Sequence, residues 1–407
     1  MAVILIGTLD TKGRELGYVR DLIRAAGLET VVIDAGSLGP PTIEPDIPRD
    51  EVFRRAGGSE PGSDRGEAVA MAARGAAAIV AGLEAEGRVD GVLAIGGSAG
   101  TVIGTAAMRG LPFGRPKLMV STLASGQVGP YVGGSDILML YPVADLAGLN
   151  RLTRAALANA AHAMIGMVKG KSWIAPEPGR PIVAATMFGV TTPCVDRARI
   201  GLESKGVEVL VFHATGVGGR SMEGLIRDPM VDGVLDLTTT EIADEVVGGI
   251  LSAGPNRLEA AGRLGIPQVV SVGALDMVNF GPRETVPGRF EGRLFHVHNE
   301  TVTLMRTTPA ENATIGTRIS EILVRATGPV AVLIPRGGVS ALDAPGKPFY
   351  DPEADEALFD ALRSGLARSP VRLIERDEHI NDPAFADCAA TTLLGMMAMT
   401  RTGTTGP

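Results

Sequence analysis

The run "AVILI" at residues 2–6 leads directly into "GTLDTKGRE" at residues 7–15. Five apolar residues in a row are too few for a helix and read as a strand buried on both faces. Past the polar turn, Leu16, Val19, Leu22, Ile23 and Ala26 recur at helical spacing. "TVVID" (30–34) then reads as a second strand. A buried strand, a helix and a second buried strand make a unit that belongs in a parallel sheet.

The same alternation continues. After a proline-rich loop, "GPPTIEPDIPRD" (39–50), an alanine-rich helix is expected from Asp64 to Glu86. "GVLAI" (91–95) is a strand, "GGSAGT" (96–101) a turn opening a short helix, and "KLMVS" (117–121) and "ILMLY" (137–141) are strands. A helix follows from Leu149 to Val168. "KGKSWIAPEPGRP" (169–181) lacks apolar periodicity and reads as a linker, giving domains at 1–170 and 181–407.

The second half echoes the first. "GVTTPC" after "IVAATMF" matches "GTLDTK" after "AVILI", and "GVEVLVFHATG" (206–216) matches "GLETVVIDAG" (27–36). "VDGVLDL" (231–237) matches "VDGVLAI" (89–95), and "GIPQVVS" (265–271) matches "GRPKLMVS" (114–121). Gly7 and Gly189 lie 182 positions apart but Asp90 and Asp232 only 142, so the first half holds an extra loop and helix. Further strands are expected at "RLFHV" (293–297), "VAVLI" (330–334) and "VRLIE" (371–375). Helices are expected at Ala310–Ala326, Pro352–Leu366 and Pro383–Met399. The expected fold is α/β, two Rossmann-like doubly wound parallel-sheet domains arising from an internal duplication; chance agreement of common α/β words is the alternative.

Composition narrows the partners. The 407 residues are 45% hydrophobic and 21% charged, with a net charge of −8. That balance describes a globular chain and argues against nucleic acid, whose phosphates need a basic surface. Two cysteines, Cys194 and Cys388, fit a reducing compartment. The N-terminal apolar run lacks basic residues before it and is too short for a signal or a membrane span. The expectation is a cytoplasmic protein that binds neither membrane nor nucleic acid.

Ligands of such sheets sit outside the carboxyl ends of the strands. The first turn is neither a Walker loop, since Lys12 precedes Gly13, nor a three-glycine dinucleotide fingerprint. Gly7, Thr8, Thr11 and Lys12 with free helix-start amides suit a phosphate, and Asp10 a hydrated magnesium ion. Equally, Asp10 or Thr11 caps the helix. Gly96, Gly97, Ser98, Ala99, Gly100 and Thr101 form a second glycine-rich strand end. Ser121, Thr122 and Ser125 form a third polar turn, and the stretch around Gly134 is a candidate wall. Asp34 suits either a ribose hydroxyl or a helix cap.

In the second half, His213, Thr215 and Gly216 to Arg220 form a strand-end cluster, as do Thr238, Thr239, Thr240 and Glu241. Arg336, Gly337, Gly338, Ser340 and Asp343 form another. Arg336 either grips a carboxylate or phosphate or forms an ion pair. His296 and His298 share one strand face and with Glu300 raise a zinc reading, though a third firm ligand is missing. Cys194 is either a small buried side chain or a helix-start thiolate. His379 is a base or a loop residue.

"GTLDTKGRE", "GGSAGT", "HVHNETVTLMRTT" (296–308), "GGVSALDAPGKPFYDPEAD" (337–355) and "DEHINDPAFA" (377–386) occur in this order along nearly the whole chain. Together they resemble the family of tomato mosaic virus resistance protein-like ATP-binding proteins. The resemblance implies two Rossmann-like subdomains, ATP with Mg2+ in the first, and a homodimer. It places ATP on the Thr8-to-Lys12 turn, the Asp34, Gly36 and Ser37 strand end, and the Gly96-to-Thr101 loop. The "STLASG" turn and Gly133 to Asp136 would contribute. The expected function is an ATP-dependent enzyme acting on a small acidic metabolite in a cleft between the domains. Lys12, Asp10, Arg336 and His213 are the catalytic candidates. The alternative is a nucleotide-binding module without catalysis.

Overall fold

The first apolar run is strand β1 (Ala2–Gly7). Successive side chains of a strand face opposite ways, so Val3 and Leu5 enter one core while Ile4 and Ile6 enter another. The computed structural model describes residues 1–58, 64–170, 180–228 and 230–401. The chain divides into two units, Met1–Ile174 and Ala175–Pro407. Residues 171–179 of the expected linker lie outside the described residues.

In the first unit β1 is followed by α1 (Leu9–Ala25), β2 (Thr30–Asp34), α2 (Arg49–Arg55), α3 (Arg65–Ala85) and β3 (Val89–Gly96). Then come α4 (Ser98–Arg109), β4 (Lys117–Ser121), α5 (Gly129–Val132), β5 (Leu138–Leu140) and α6 (Arg151–Gly170). The five strands form one parallel sheet in the order β2-β1-β3-β4-β5. Helices α1 and α6 cover one face; α2, α3 and α4 cover the other. Asp64 caps α3 by accepting the Glu67 N–H at 2.8 Å. Helix α3 is long and apolar enough to cross a membrane by length and composition. Its Ala72, Ala76, Ile79 and Val80 are instead buried in the core of this unit.

The second unit runs β6 (Ile182–Met187), α7 (Thr192–Glu203), β7 (Glu208–His213), α8 (Val217–Arg227), β8 (Gly233–Thr238), α9 (Thr240–Val247) and α10 (Glu259–Leu264). It continues with β9 (Gln268–Gly273), β10 (Met277–Phe280), β11 (Phe295–Asn299), β12 (Val302–Arg306) and α11 (Pro309–Leu323). It ends with β13 (Val330–Pro335), α12 (Pro352–Leu366), β14 (Arg372–Arg376) and α13 (Pro383–Arg401). Six strands form a parallel sheet in the order β14-β13-β9-β8-β6-β7. Helices α7 and α13 lie on one face, and α8 to α12 on the other.

Strands β6, β7, β8 and β9 occupy the places that β1, β2, β3 and β4 hold in the first sheet, so both units are wound alike. Between its second and third strands the first unit has α2 and α3 where the second has α8, matching the extra length read from the sequence. One expectation changes. The strand expected at 293–297 is β11, and it belongs to a separate antiparallel sheet, β10-β12-β11, inserted between β9 and β13.

Candidate functional site

Strands β1 and β3 are hydrogen-bonded neighbours, yet α1 leads from β1 to β2 on one side and α4 leads from β3 to β4 on the other. Divergence of this kind leaves a crevice at the carboxyl ends of the two strands. The register sets Gly7 beside Asp34, Ile6 beside Ala94 and Gly96 beside Ser121. The turns beginning at Thr8, Ala35, Gly97 and Thr122 therefore line one end of one sheet.

The two helix starts at this crevice differ. At α1, buried Asp34 accepts the N–H of Leu9 at 3.0 Å and of Gly36 at 2.9 Å, and its other oxygen lies 3.5 Å from Arg49 Nε. Of its two possible roles, Asp34 performs the cap. Thr8 and Thr11 share a 2.7 Å hydroxyl contact. Asp10 holds the following loop by accepting the Leu38 N–H at 2.7 Å and the Gly39 N–H at 3.3 Å. Its Oδ1 is buried with no hydrogen-bond partner among the described residues. Gly36 packs against this carboxylate, where a Cβ would come within 2.8 Å, and Ser37 is half-buried beside it. Lys12 donates to the carbonyl of Leu146.

At α4 the N-cap is Gly97, and no side chain among the described residues caps the helix. Gly96 and Gly100 pack closely against one another: a Cβ on Gly96 would lie 2.7 Å from Gly100 Cα. A Cβ on Gly97 would meet Thr122 Oγ1 at 3.6 Å, an ordinary van der Waals contact, so the position is less crowded than Gly96 or Gly100. Thr101 Oγ1 donates to the Gly97 carbonyl at 2.7 Å and lies 2.6 Å from Ser121 Oγ, which accepts the Leu123 N–H at 3.0 Å. Thr101 and Ser121 are thus buried ties between α4 and β4. Ser98 and Ser125 are exposed, and Ala99 and Thr122 half-buried.

Gly134 does not join this group. The chain leaving β4 must return to the opposite end of the sheet to begin β5 as a parallel strand. A Cβ on Gly133 would lie 3.4 Å from Arg109 Cδ at the far end of α4, and Asp136 pairs at 2.5 Å with Lys117 at the start of β4. A cavity of about 350 Å³ lies at that same far end, lined by Asp90, Lys117, Asp136 and Leu138 among others.

In the second unit the turn from Gly216 to Arg220 carries its own anion. Glu241 Oε1 accepts the N–H of Gly216 at 2.6 Å and of Gly219 at 3.0 Å. Its other oxygen receives Arg257 Nε at 2.7 Å, and Arg257 also makes paired bonds to Asp236 at 2.5 and 2.8 Å. Glu223 lies 3.6 Å from the same guanidinium. Burial opposes the charge on Arg257, but the three carboxylates more than offset it and raise its pKa well above the usual value. Burial raises the pKa of Glu223. Thr186, Thr191, Thr238 and Thr239 are buried and satisfied by one another, by Asp236 and by the Ser271 carbonyl. Asp236, Glu223 and Arg257 drew no notice in the sequence; an acid inside the apolar strand "VLDL" was the available signal.

His213 is exposed at the end of edge strand β7, its ring 5.4 Å from that of Phe188. Arg336 is 52% exposed and reaches Glu375 and Asp377 only at 4.0 and 3.7 Å. His379 has both ring nitrogens engaged, Nε2 with the Ser340 carbonyl at 2.8 Å and Nδ1 with the Asn381 N–H at 3.0 Å. Cys194 is buried, and burial pushes its thiol up to about 12, so the small-core-residue reading applies. The rings of His296 and His298 are 6.5 Å apart on β11. Among the described residues no group of three or more His, Cys, Asp or Glu is placed to hold a metal ion.

The N-terminal domain of the uncharacterised protein family UPF0261 matches residues 1–172, and its C-terminal domain matches residues 180–397. A UPF0261 protein of Clostridium tetani is 53% identical over 97% of this chain and 98% of its own length. The UPF0261 protein RA0729 of Rhizobium meliloti is 49% identical over 95% of this chain and 97% of its own. The ToMV resistance protein Tm-1(GCR237) of Solanum lycopersicum is 45% identical over 83% of this chain, which spans 45% of that longer protein. With both family domains matched in order and relatives of this similarity along almost the full length, the chain belongs to the UPF0261 family and is related to the Tm-1-like proteins.

Proposed function

We propose that the first unit binds ATP, with the phosphates at the start of α4. The observation that carries this reading is the uncapped α4 N-terminus beside Gly97, at the switch point between β1 and β3. Helix-start amides and the helix dipole favour an anion there. Lys12 retains two ammonium protons beyond its bond to Leu146. The orphan Oδ1 of Asp10 fits a hydrated magnesium ion, which would neutralise phosphate charge. Arg336, exposed and loosely paired, suits the carboxylate of a small acidic substrate, whose turnover would use ATP. The family resemblance supports a homodimer. The shared winding order and the ordered sequence echoes support descent of both units from one duplicated unit.

The second reading, nucleotide binding without catalysis, is favoured by the α8 start being filled by Glu241 and by the two engaged nitrogens of His379. Calorimetric titration with Mg-ATP tests the shared core of both. Wild type should bind and Gly97→Asp, which puts a carboxylate at the α4 start with its Cβ in ordinary contact with Thr122, should not. Absence of binding by wild type at saturating ATP would overturn both readings. Release of ADP, AMP or phosphate with one member of a panel of small acids would select the enzyme.

A further inference from the structure

The motif at residues 337–355 has no part in the nucleotide reading. It follows β13 and ends in the first turn of α12. It brings Asp343 and Asp355 against Asp276, just beyond β9, and Arg306, the last residue of β12. All four are buried: Asp276 and Asp343 completely, Arg306 and Asp355 to 4% and 6% exposure. Arg306 Nη2 donates to Asp355 Oδ1 at 2.7 Å and lies 3.9 Å from Asp343 Oδ1. Its Nε donates to the Phe349 carbonyl at 2.7 Å and its Nη1 to Thr307 Oγ1 at 2.9 Å. Ser340 Oγ donates to Asp276 Oδ2 at 2.7 Å, and the Val339 N–H to Asp343 Oδ2 at 2.8 Å.

Two oxygens are left over. Asp276 Oδ1 and Asp343 Oδ1 are buried with no hydrogen-bond partner among the described residues. Three carboxylates also face one guanidinium, so full ionisation would leave two uncompensated negative charges out of water. Burial of that kind favours the neutral acid, and an added proton turns an orphan acceptor into a donor.

We propose that Asp276 and Asp355, packed with Asp343 around Arg306, form a proton-held clasp: while these two are protonated it locks residues 339–355 over Asp276 and Arg306, and their deprotonation releases the segment. Burial raises Asp276 to about 7, with repulsion from Asp343 adding to it against the pull of Arg306. Burial and the same repulsion raise Asp355 to about 8. The folded segment therefore binds more protons than the free one from the ordinary aspartate range up to about 8, and docking weakens as pH rises through that range.

Other charged groups surround the clasp: the carboxylate of Asp351 accepts the Ala354 N–H at 3.1 Å at the start of α12, and its carbonyl accepts Arg306 Nη2 at 3.2 Å. His379, before α13, sets Nε2 2.8 Å from the Ser340 carbonyl and accepts the Asn381 N–H at Nδ1 at 3.0 Å. His296 of β11 meets the ring of Phe349 at 6.2 Å. Arg293 donates to the Arg306 carbonyl at 2.7 Å and is paired with Glu311 of α11 at 2.6 Å. Lys347 and Glu353 of the segment itself are exposed.

The test is hydrogen exchange by mass spectrometry on the full chain at pH 6.5 and 9, corrected for intrinsic rates. Protection of residues 339–355 should fall about tenfold or more in wild type, each pH unit below the raised value of Asp355 being worth up to about a factor of ten. In Asp276→Asn the fall should shrink several-fold. Infrared spectra of wild type should show a protonated-carboxyl band at pH 6.5 that is gone at pH 9. Asp244→Asn serves as the control for the other carboxyl raised to about 7. If Asp276→Asn does not fold, Asp355→Asn and the wild-type infrared titration carry the test. Equal protection at both pH values, or no carboxyl band beyond that of Asp244, would overturn the clasp. So would protection restored at pH 9 by Mg2+ or K+ in wild type alone, which would make the missing partner a cation.

Discussion

Glu241 Oε1 accepts the backbone N–H of Gly216 at 2.6 Å, where an external anion would otherwise cap the start of α8. The second unit thus carries within its own chain the kind of group that the start of α4 in the first unit lacks among the described residues. Both starts follow parallel strands in similarly wound sheets, and they differ in whether a carboxylate has been built in.

Removing that carboxylate should be severe. Glu241→Ala leaves Arg257 short of one of its buried partners, and breaking a buried ion pair costs about 3–5 kcal/mol. Urea denaturation should show a loss of that order. Glu241→Gln, which keeps an oxygen for the Gly216 N–H, should lose less. Equal losses in the two variants would mean that the charge has little part in it.

Asp34 holds the start of α1 through the Leu9 and Gly36 N–H groups. Asp34→Ala should therefore lower stability in the absence of any nucleotide, by about 0.5–2 kcal/mol as for other helix caps. The affinity of the folded fraction for ATP should change little. Normal stability with a large loss of affinity would return Asp34 to the ligand.

Asp244 makes stability slope with pH on the acid side of neutrality. It accepts the Asn279 N–H at 3.0 Å and Asn279 Nδ2 at 2.6 Å, yet burial raises it from 3.8 to about 7. Between those values the unfolded chain sheds its proton while the folded chain keeps it, so stability falls as pH rises from about 4 to 7 and then levels. Denaturation midpoints at pH 5 and 8 should show the fall, and Asp244→Asn should remove the share of Asp244 and leave that of Asp276 and Asp355.

The two cysteines should separate by reactivity. Cys194 is buried with its thiol raised to about 12, whereas Cys388 is half-buried. A thiol reagent at pH 8 should modify Cys388 well before Cys194 in the native protein, and both at similar rates in denaturant. Peptide mapping checks this; early labelling of Cys194 would contradict its burial.

The strands and the main helices were legible in the sequence because their signals are local. β1, β3, β4 and β6 are continuous apolar runs, and Asp64 and Glu86 flank α3 as expected. Helix α2 was hidden because Pro45 and Pro48 made its surroundings read as loop, although Pro48 is its N-cap. β10 has four residues, and Asn279 within it turns to Asp244, so it offers no strand period. The strand ends of the crevice were found, but their division of labour was not. Whether a glycine such as Gly96 faces a helix or a ligand depends on Gly100 coming close in space. The Arg257 network joins four separate segments, which no local pattern can register.

Helix α13, which ends at Arg401, has a consequence for biosynthesis. Its Phe385, Ala389 and Leu393 cover Leu235, Val269 and Leu333 at the heart of the second sheet. Until these residues leave the ribosome, the part of that face not covered by α7 stays bare and sticky. Chains that stall or terminate before Pro383 should therefore be clients of chaperones and proteases, however complete the rest of the sheet.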